Sequence, residues 1–527
     1  MTRRAQFYPQ VDAETLILGV NSNSALTAPD LDAAVDLGAS IIRIHPGWDG
    51  VENYATGALA LPSATVTALG LMAARNLTPM VVTGYGPPRS TIATMTLAAQ
   101  AEIDATTITV VEAVTSVDVP YCHIQKGDGT QITSRRAYYG SFIRAVDTAT
   151  KTLTLASPLT VQLAAASTVK INRVRYPTVT SVDPTEASTV SFLRYLAFVA
   201  DEVDRLCGGG YVCLWNEAPW VNDPWCNRRR FYAVDADADA DGVPAAAGQD
   251  TCLGLLKGVV TLGLPATVDV INGASDLSGF ATGTNRSVYS DPAVQVPRLA
   301  WDGIHPYGDN PERHAWYPDE TDASYGANWL QTVSPIYQTS NFRYAARQHD
   351  LFRASNGTAP RLAATECGAY LADNTLHARH ILRRVLSLWA MNVSMVVLYA
   401  LAEGDTFRLM DPGDLNRRPA FAAIQRMIAA RDAGAGGTAP GVLGWSGVQW
   451  DLMMCRAGST VFAWQRTEHA TDWTTVVSPA AATLTLSGGD RVVSATNLLS
   501  GASVAYVVTG NRVAVPIADD PVAIRFT

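Results

Sequence analysis

The sequence lacks the features that mark several common classes of protein. Among its 527 residues only 17% are charged, and 39 Lys and Arg are outnumbered by 48 Asp and Glu, which gives a net charge of −9. Such a chain offers no positive field to a phosphate backbone, so we expect no nucleic-acid partner. No run of about 18 uninterrupted apolar residues occurs, which excludes a membrane-spanning helix.

Cysteine and histidine are also sparse and unpatterned. The seven cysteines include no Cys-x-x-Cys pair, and their odd number excludes complete pairing in disulfides, so we expect mostly buried thiols. The histidines show no zinc-binding spacing, and we predict no cofactor. The first apolar stretch, residues 16–20, is too short and too late for a secretory signal. The expected location is therefore cytoplasmic, or released or virion-associated by another route.

What the chain does contain is ample material for a large core. Hydrophobic residues make up 48% of it, with 12 Trp, 19 Tyr and 12 Phe. At roughly 100 to 200 residues per domain, the length indicates several domains or one large barrel with additions.

A repeated pattern of a short apolar run, a polar loop and a helical stretch favours one large barrel over several separate domains. Residues 29–37, closed by Gly38, predict the first helix of the series. Continuous apolar strands that alternate with helices indicate parallel strands covered on both faces. Eight such units predict an α/β fold, a (β/α)8 TIM barrel. The predicted strands are residues 16–20, 40–44, 79–83, 211–215, 267–271, 299–304, 361–365 and 394–399.

Two segments depart from this rhythm. Between residues 102 and 177, apolar and polar residues alternate with period two between turn signals, which predicts a small β domain inserted after strand 3. After a glycine-rich stretch, residues 440–527 show Val, Thr and Ala alternation and predict a C-terminal β-sandwich. The predicted barrel therefore comprises residues 12–101 and 178–435.

Two glutamates follow barrel strands where reactive groups are expected. Asn216-Glu217 follows the fourth predicted strand, and Glu366 follows the seventh. Active-site residues of (β/α)8 enzymes lie at the carboxyl ends of strands. Hydrolysis of a glycosidic bond with retention needs two carboxyl groups about 5 to 5.5 Å apart. The alternative is that each glutamate is merely a solvated strand-end residue.

On these residues the sequence resembles the clan A glycoside hydrolases, which have an Asn-Glu pair after strand four and a nucleophilic Glu after strand seven. The barrel followed by a sandwich looks most like family 39, with family 5 relatives next. The resemblance implies double displacement on the O-glycosidic bonds of an oligo- or polysaccharide. It implies that Glu217 is the general acid/base, Glu366 is the nucleophile, and Asn216 binds the sugar 2-hydroxyl.

Further positions match the same resemblance. It implies that Arg43, on strand two, orients the nucleophile, and we predict that Arg43 and His45, which follows on the same strand, bind substrate. The motif His305-Pro-Tyr307 after strand six implies a histidine that contacts substrate and a tyrosine that contacts the nucleophile. Alternatively, Arg43 forms a structural pair and His305 is a satisfied core histidine.

Aromatic residues cluster after the same strands. Trp48, Trp220 and Tyr399 are predicted to bind substrate, because the C–H faces of sugars pack on aromatic rings. Tyr399 stands where the clan often has Trp, and Glu403 and Asp405 follow it. The alternative is that loop tryptophans pack the long loops themselves.

One acidic stretch suggests a metal. Asp237, Asp239, Asp241 and Gly242 match the start of an EF-hand-like calcium loop. Counting Asp237 as the first position, Gly248 occupies the twelfth, where a bidentate Glu is required. A solvated acidic loop is the alternative to calcium.

The competing functional hypothesis is a non-catalytic carbohydrate-binding or virion-associated protein on a degenerate glycosidase barrel. The β insert and the missing signal peptide motivate it. The presence of both glutamates, Asn216 and the His-x-Tyr motif argues against it, since binding alone requires no acid and nucleophile together. The sequence pattern specifies neither the sugar nor the oligomeric state.

Overall fold

The protein is seen in a computed structural model. The residues that it describes are 5–11, 13–22, 26–84, 87–114, 122–130, 132, 141–155, 158–176, 185, 187–214, 258–259, 261–275, 299–305, 361–369, 371–390, 393–403, 407–411, 416–448, 452–465 and 480–527.

Eight parallel strands form a closed barrel, with strands numbered along the chain. They are β2 (Ile17–Asn21), β3 (Ile41–Ile44), β4 (Thr78–Thr83), β11 (Gly210–Leu214), β12 (Val268–Ser275), β13 (Leu299–Ile304), β14 (Arg361–Cys367) and β15 (Met395–Leu398). Their order around the barrel is β11-β12-β13-β14-β15-β2-β3-β4. Each predicted strand coincides with one of these eight, and the predicted (β/α)8 TIM barrel is confirmed.

The barrel strands form because their side chains are apolar on both faces. All four residues of β3 are buried, as are all four of β15. Between the neighbours β15 and β3, Gly19 of β2 has no room for a side chain. A Cβ there would lie 3.0 Å from both Ile41 Cβ and Val397 Cγ2. Close packing of this kind fixes the register in which the strand ends meet.

Six α-helices have both of their ends within the described residues. They are α1 (Ala28–Leu37), α2 (Trp48–Val51), α3 (Ser63–Ala73), α4 (Ala187–Cys207), α5 (Asn374–Ala390) and α6 (Pro419–Gly434). The first shows why its sequence is helical. Thr27 and Asp30 form a reciprocal capping box at its start, and Gly38 ends it with φ of +85°, a conformation that glycine adopts without strain.

The insert after the third barrel strand is a six-stranded antiparallel sheet. Its strands are β5 (Arg89–Thr96), β6 (Thr107–Thr109), β7 (Cys122–Lys126), β8 (Ser141–Asp147), β9 (Thr152–Leu155) and β10 (Thr168–Val174), in the order β5-β10-β7-β8-β9-β6. Ile124, Leu153 and Ile171 belong to its own hydrophobic core. The β-rich insert is thus confirmed. Strand β5 precedes residue 102, and the exact domain bounds stay predictions.

The C-terminal region is a two-sheet sandwich, as expected. One sheet contains, in this order, β1 (Ala5–Val11), β17 (Leu452–Ala457), β18 (Thr460–Gln465), β23 (Val522–Phe526) and β20 (Val492–Asn497). The other contains, in this order, β16 (Val442–Ser446), β19 (Ala482–Ser487), β22 (Arg512–Ile517) and β21 (Val507–Thr509). A shared core includes Met454 and Val461 of the first sheet and Leu484 and Val515 of the second.

Strand β1 was not predicted. It pairs in parallel with β17, so the first strand of the chain belongs to the C-terminal sandwich.

The chain divides into two compact units. One comprises Met1–Ile44, Ala68–Met80 and Trp301–Thr527, and the other comprises His45–Thr67 and Val81–Ala300. The first unit holds the sandwich and strands β14 and β15, and the second holds the insert, α4 and β11. None of the helices described is long and apolar enough to cross a membrane.

Candidate active site

The carboxylate of Glu366 is held at the end of β14 by two basic side chains. Its Oε1 accepts a charge-assisted hydrogen bond from Arg43 Nη1, and its Oε2 lies 3.4 Å from His305 Nδ1. Arg43 and His305 are buried, while the Glu366 side chain keeps 9% of its surface exposed. Three residues predicted from separate strands are therefore brought together, with the carboxylate fixed in orientation and a small fraction of its side chain exposed.

Strand register explains how these side chains meet. Pairing of β2 with β3 places Asn21 beside Arg43, and Arg43 Nη1 lies 3.5 Å from Asn21 Oδ1. Pairing of β13 with β14 sets Ile304 opposite Ala364, so that His305 follows just as the chain reaches Glu366. Neighbouring parallel strands thus deliver their last side chains to one edge of the barrel.

A second carboxylate, Glu403, lies on the loop after β15 and was not among the predicted site residues. Ser22, just after β2, donates a hydrogen bond from Oγ to Glu403 Oε1 at 3.0 Å. Glu403 is half-buried. The sequence signal for Glu403 is its position a few residues after the eighth barrel strand. That position becomes informative only when Ser22 is known to be its neighbour.

Tyr399 lies directly after β15, as expected. Its backbone N–H donates to the carbonyl of Cys367 at 2.8 Å, and its ring meets Phe407 edge-on with centroids 5.6 Å apart. The peptide bond from Tyr399 to Ala400 is cis. Gly368 makes this approach possible, because a Cβ there would lie 2.6 Å from the Tyr399 carbonyl oxygen and 2.8 Å from Phe407 Cδ1. The residue after Cys367 must therefore be very small.

Cys367, next to Glu366, is not a competing nucleophile. Burial raises the pKa of its thiol to about 12. Since the thiolate is the reactive form, a thiol that stays protonated at neutral pH is inert.

Trp48 occupies a different environment from the one expected. Its ring is fully buried and stacks on Tyr176 and Tyr195, with centroids 5.5 Å away in each case. Phe192 contacts it edge-on, and its Nε1 donates to Glu52 Oε2 at 2.8 Å. Protein covers the ring, which leaves no face for a sugar. The predicted substrate contact is therefore corrected: packing of the loops themselves, the alternative, describes Trp48.

The remaining predicted residues are only partly accounted for. His45 follows β3 and is half-buried. Outside the described residues lie the predicted acid/base, three predicted substrate contacts and the three aspartates of the calcium hypothesis: Glu217, Asn216, Trp220, Tyr307, Asp237, Asp239 and Asp241. Among the residues that are described, no group of His, Cys, Asp or Glu side chains is arranged to hold a metal ion.

The architecture defines a (β/α)8 barrel with a C-terminal sandwich and an oriented carboxylate at the end of its seventh strand. Neither a family model nor a curated protein matches the sequence. Solved structures do match. A family 39 glycoside hydrolase from the gut symbiont Bacteroides cellulosilyticus WH2 aligns over 99% of this chain and 83% of its own, with a TM-score of 0.57 and 15% identity.

Two further similar structures extend over nearly the whole of both chains. A family 30 subfamily 8 xylanase from Clostridium acetobutylicum covers 99% of this chain and 97% of its own, with a TM-score of 0.45 and 12% identity. A family 51 α-L-arabinofuranosidase from Bifidobacterium longum covers 100% and 98%, with a TM-score of 0.45 and 10% identity. The resemblance to clan A glycoside hydrolases, with family 39 foremost, is confirmed at the level of the fold.

Proposed function

We propose that the protein is a retaining glycoside hydrolase that cleaves O-glycosidic bonds of an oligo- or polysaccharide. The observation that carries the proposal is the carboxylate of Glu366, which stands at the end of the seventh barrel strand between Arg43 and His305. A carboxylate nucleophile must be reachable and correctly oriented, and Arg43 supplies the orientation.

In the proposed first step, a Glu366 carboxylate oxygen forms a bond to the anomeric carbon as the bond from that carbon to the leaving oxygen breaks. Glu217 gives its proton to the leaving oxygen, so that the aglycone departs as an alcohol. The sugar is then an ester of Glu366. In the second step, Glu217 takes a proton from water, the water oxygen bonds to the anomeric carbon, and the Glu366 carboxylate is released. Two carboxyl groups complete this cycle without a cofactor.

The role of Glu217 rests on the resemblance and on its position in the chain. It follows β11, the fourth barrel strand, by three residues, since that strand ends at Leu214. The carboxyl ends of all strands in a (β/α)8 barrel open on one edge, where substrates bind. We assign sugar contacts to His45, Asn216, Trp220, His305, Tyr307 and Tyr399 on the same grounds. Trp48 has no place in this set.

The test is covalent trapping. The parent enzyme, incubated with an activated 2-fluoro glycoside, should gain the mass of the sugar on the peptide that contains Glu366, and Glu366→Ala should abolish turnover. Glu403→Gln is the matched control, because it removes a neighbouring carboxylate that we do not assign to the chemistry, and it should still be labelled. Turnover by Glu366→Ala, or a label on another peptide, would sink the proposal.

A second measurement separates catalysis from binding alone. The double variant Glu217→Gln/Glu366→Gln should bind glycan without cleaving it, whereas the parent cleaves. If the parent shows no hydrolysis and the double variant binds with unchanged affinity, the carbohydrate-binding alternative holds instead.

A further inference from the structure

Asn21, the last residue of β2, is a fully buried side chain that has no part in the proposed chemistry. Its Oδ1 lies 3.5 Å from Nη1 of Arg43, the same nitrogen that donates to Oε1 of Glu366. A guanidinium nitrogen can only donate, so the oxygen end of the Asn21 amide is the end that faces Arg43. Arg43 therefore contacts both Asn21 and the predicted nucleophile through one nitrogen.

Backbone hydrogen bonds on both sides hold Asn21 in place. It is the register partner of Arg43 in the pairing of β2 with β3. The carbonyl of Asn21 accepts a hydrogen bond from the N–H of Leu401 at 3.1 Å, and the N–H of Ser22 donates to the carbonyl of Arg43 at 3.0 Å. The end of β2 is thus bonded to β3 and to the loop after β15. A residue held in this way is a fixed point that can orient a longer side chain.

The other end of the same amide argues against a role in packing alone. Nδ2 of Asn21 is buried and has no hydrogen-bond partner among the described residues. A buried donor without a partner costs free energy that an apolar side chain of similar shape does not cost. Leucine would therefore fill this position at least as well. What leucine lacks is the oxygen that faces Arg43.

Two acceptors restrict a guanidinium more than one acceptor does. The two N–H bonds of Nη1 diverge within the plane of the group, so acceptors on Glu366 and on Asn21 together fix the rotation of that plane. In the proposed first step the Glu366 carboxylate becomes a neutral ester, and its attraction for Arg43 weakens. The Asn21 oxygen does not change during the cycle. It can therefore keep Arg43 in position until the carboxylate is released.

We propose that Asn21 is a positioning residue for the nucleophile, because it holds Arg43 in the orientation in which Arg43 fixes the Glu366 carboxylate. The inference rests on the proposed glycosidase function. It adds a residue of β2 that acts through Arg43 and does not touch the substrate. All three side chains belong to the same compact unit.

The test measures the rate at which the activated 2-fluoro glycoside labels Glu366. The rate constant at saturation reports attack by Glu366, and the concentration that gives half of this rate reports binding of the sugar. Asn21→Leu should lower the rate constant about tenfold, equivalent to about 1.4 kcal/mol of transition-state stabilisation, and leave the half-maximal concentration unchanged. Asn21→Asp, which keeps an oxygen at the same position, should recover most of the rate.

Thr365→Val is the matched control. Thr365 precedes Glu366 on β14 and is buried, and its Oγ1 also has no hydrogen-bond partner within the described part of the chain. Successive side chains of a strand point to opposite faces, so the variant removes an unpaired polar atom beside the nucleophile without altering the face that carries Glu366. It should be labelled at the parental rate.

Thermal melts separate positioning from a structural role. In Asn21→Leu the loss of an acceptor for Arg43 is offset by removal of the unpaired Nδ2, so the melting temperature should stay close to that of the parent. A parental labelling rate in Asn21→Leu would overturn the inference. Equal changes in rate constant and half-maximal concentration, or a large fall in melting temperature, would also overturn it.

A structural readout decides the inference if the chemistry proves different. If the parent is not labelled at all, the proposed function fails, and crystal structures of the parent and of Asn21→Leu are then compared. The Arg43 guanidinium should leave its parental position beside Glu366 in the variant, or occupy more than one position there. An Arg43 side chain that is unchanged in the variant would overturn the inference.

Discussion

His377 on α5 should make the stability of the protein depend on pH. Its side chain is fully buried. Burial, together with the positive charges of Arg418 and Arg384, lowers the pKa of His377 to about 4. His380, on the same helix, has its pKa lowered by burial and by the neighbouring arginines in the same direction. A decrease in pH below neutral is therefore the perturbation that tests the contribution of this helix to stability.

The sign follows from where protons bind. An unfolded histidine titrates near pH 6.5, so below that value the unfolded chain takes up a proton that folded His377 refuses until about pH 4. Stability is then fully present above about pH 6.5 and declines as the pH falls towards 4. For His377 alone, going from pH 7.5 to pH 5 lowers the free energy of unfolding by about 2 kcal/mol, and the limit at lower pH is about 3 kcal/mol.

The assay is urea unfolding followed by tryptophan fluorescence at pH 7.5, 6 and 5, for the parent and for His377→Gln. At pH 7.5 the histidine is neutral in both the folded and the unfolded state. The difference in unfolding free energy between parent and variant at that pH therefore reports the packing of the side chain alone. Between pH 7.5 and 5 the parent should lose about 2 kcal/mol more than the variant. Other buried histidines are common to both proteins, and only His380, whose pKa is lowered in part by the charge of His377, is affected by the substitution. Parallel pH profiles for parent and variant would refute the reasoning.

Three further predictions concern single side chains. Arg43→Met leaves the Glu366 carboxylate without its arginine and should lower the free energy of unfolding by about 3 to 5 kcal/mol in urea titrations. Gly368→Ala forces a Cβ against the Tyr399 carbonyl and should cost about 1 to 3 kcal/mol and reduce kcat on an aryl glycoside. Gly70→Ala is its control: Gly70 is an exposed position of α3 where a Cβ meets nothing within 4 Å, and thermal melts should show a gain of about 0.5 to 1 kcal/mol.

The barrel could be predicted because its strands carry their own signal. Residues 40–44 are apolar apart from Arg43 and Ser40, and β3 runs from Ile41 to Ile44, since a parallel strand covered on both faces must be continuously apolar. Strand β1 carries no such signal. It pairs Ala5 with Leu452, and no local pattern specifies a partner so distant in the chain. An apolar strand can be recognised from its own sequence, whereas the distant strand with which it pairs cannot.

The same distinction applies to the site. Arg43, His305 and Glu366 were predictable because each lies at or just after a strand that the sequence marks, and strand order then brings them together. The environment of Trp48 could not be predicted, because the rings that cover it come from residues 176 and 195, which are distant in the sequence. A tryptophan in a loop is compatible with a sugar platform and with loop packing, and only tertiary contacts separate the two.

Glu52 and Glu366 show why an ion pair with arginine does not by itself identify a reacting carboxylate. Glu52 directly follows α2, Glu366 lies near the end of β14, and both carboxylates accept a hydrogen bond from an arginine. The Glu52 side chain has no exposed surface, whereas Glu366 retains 9%. A nucleophile must meet its substrate, so a fully enclosed carboxylate can only position its neighbours, while a partly open one held by a fixed guanidinium is oriented for attack. Exposure of the side chain, rather than charge or hydrogen bonding, distinguishes the two glutamates, in line with the proposed role of Glu366 as the nucleophile.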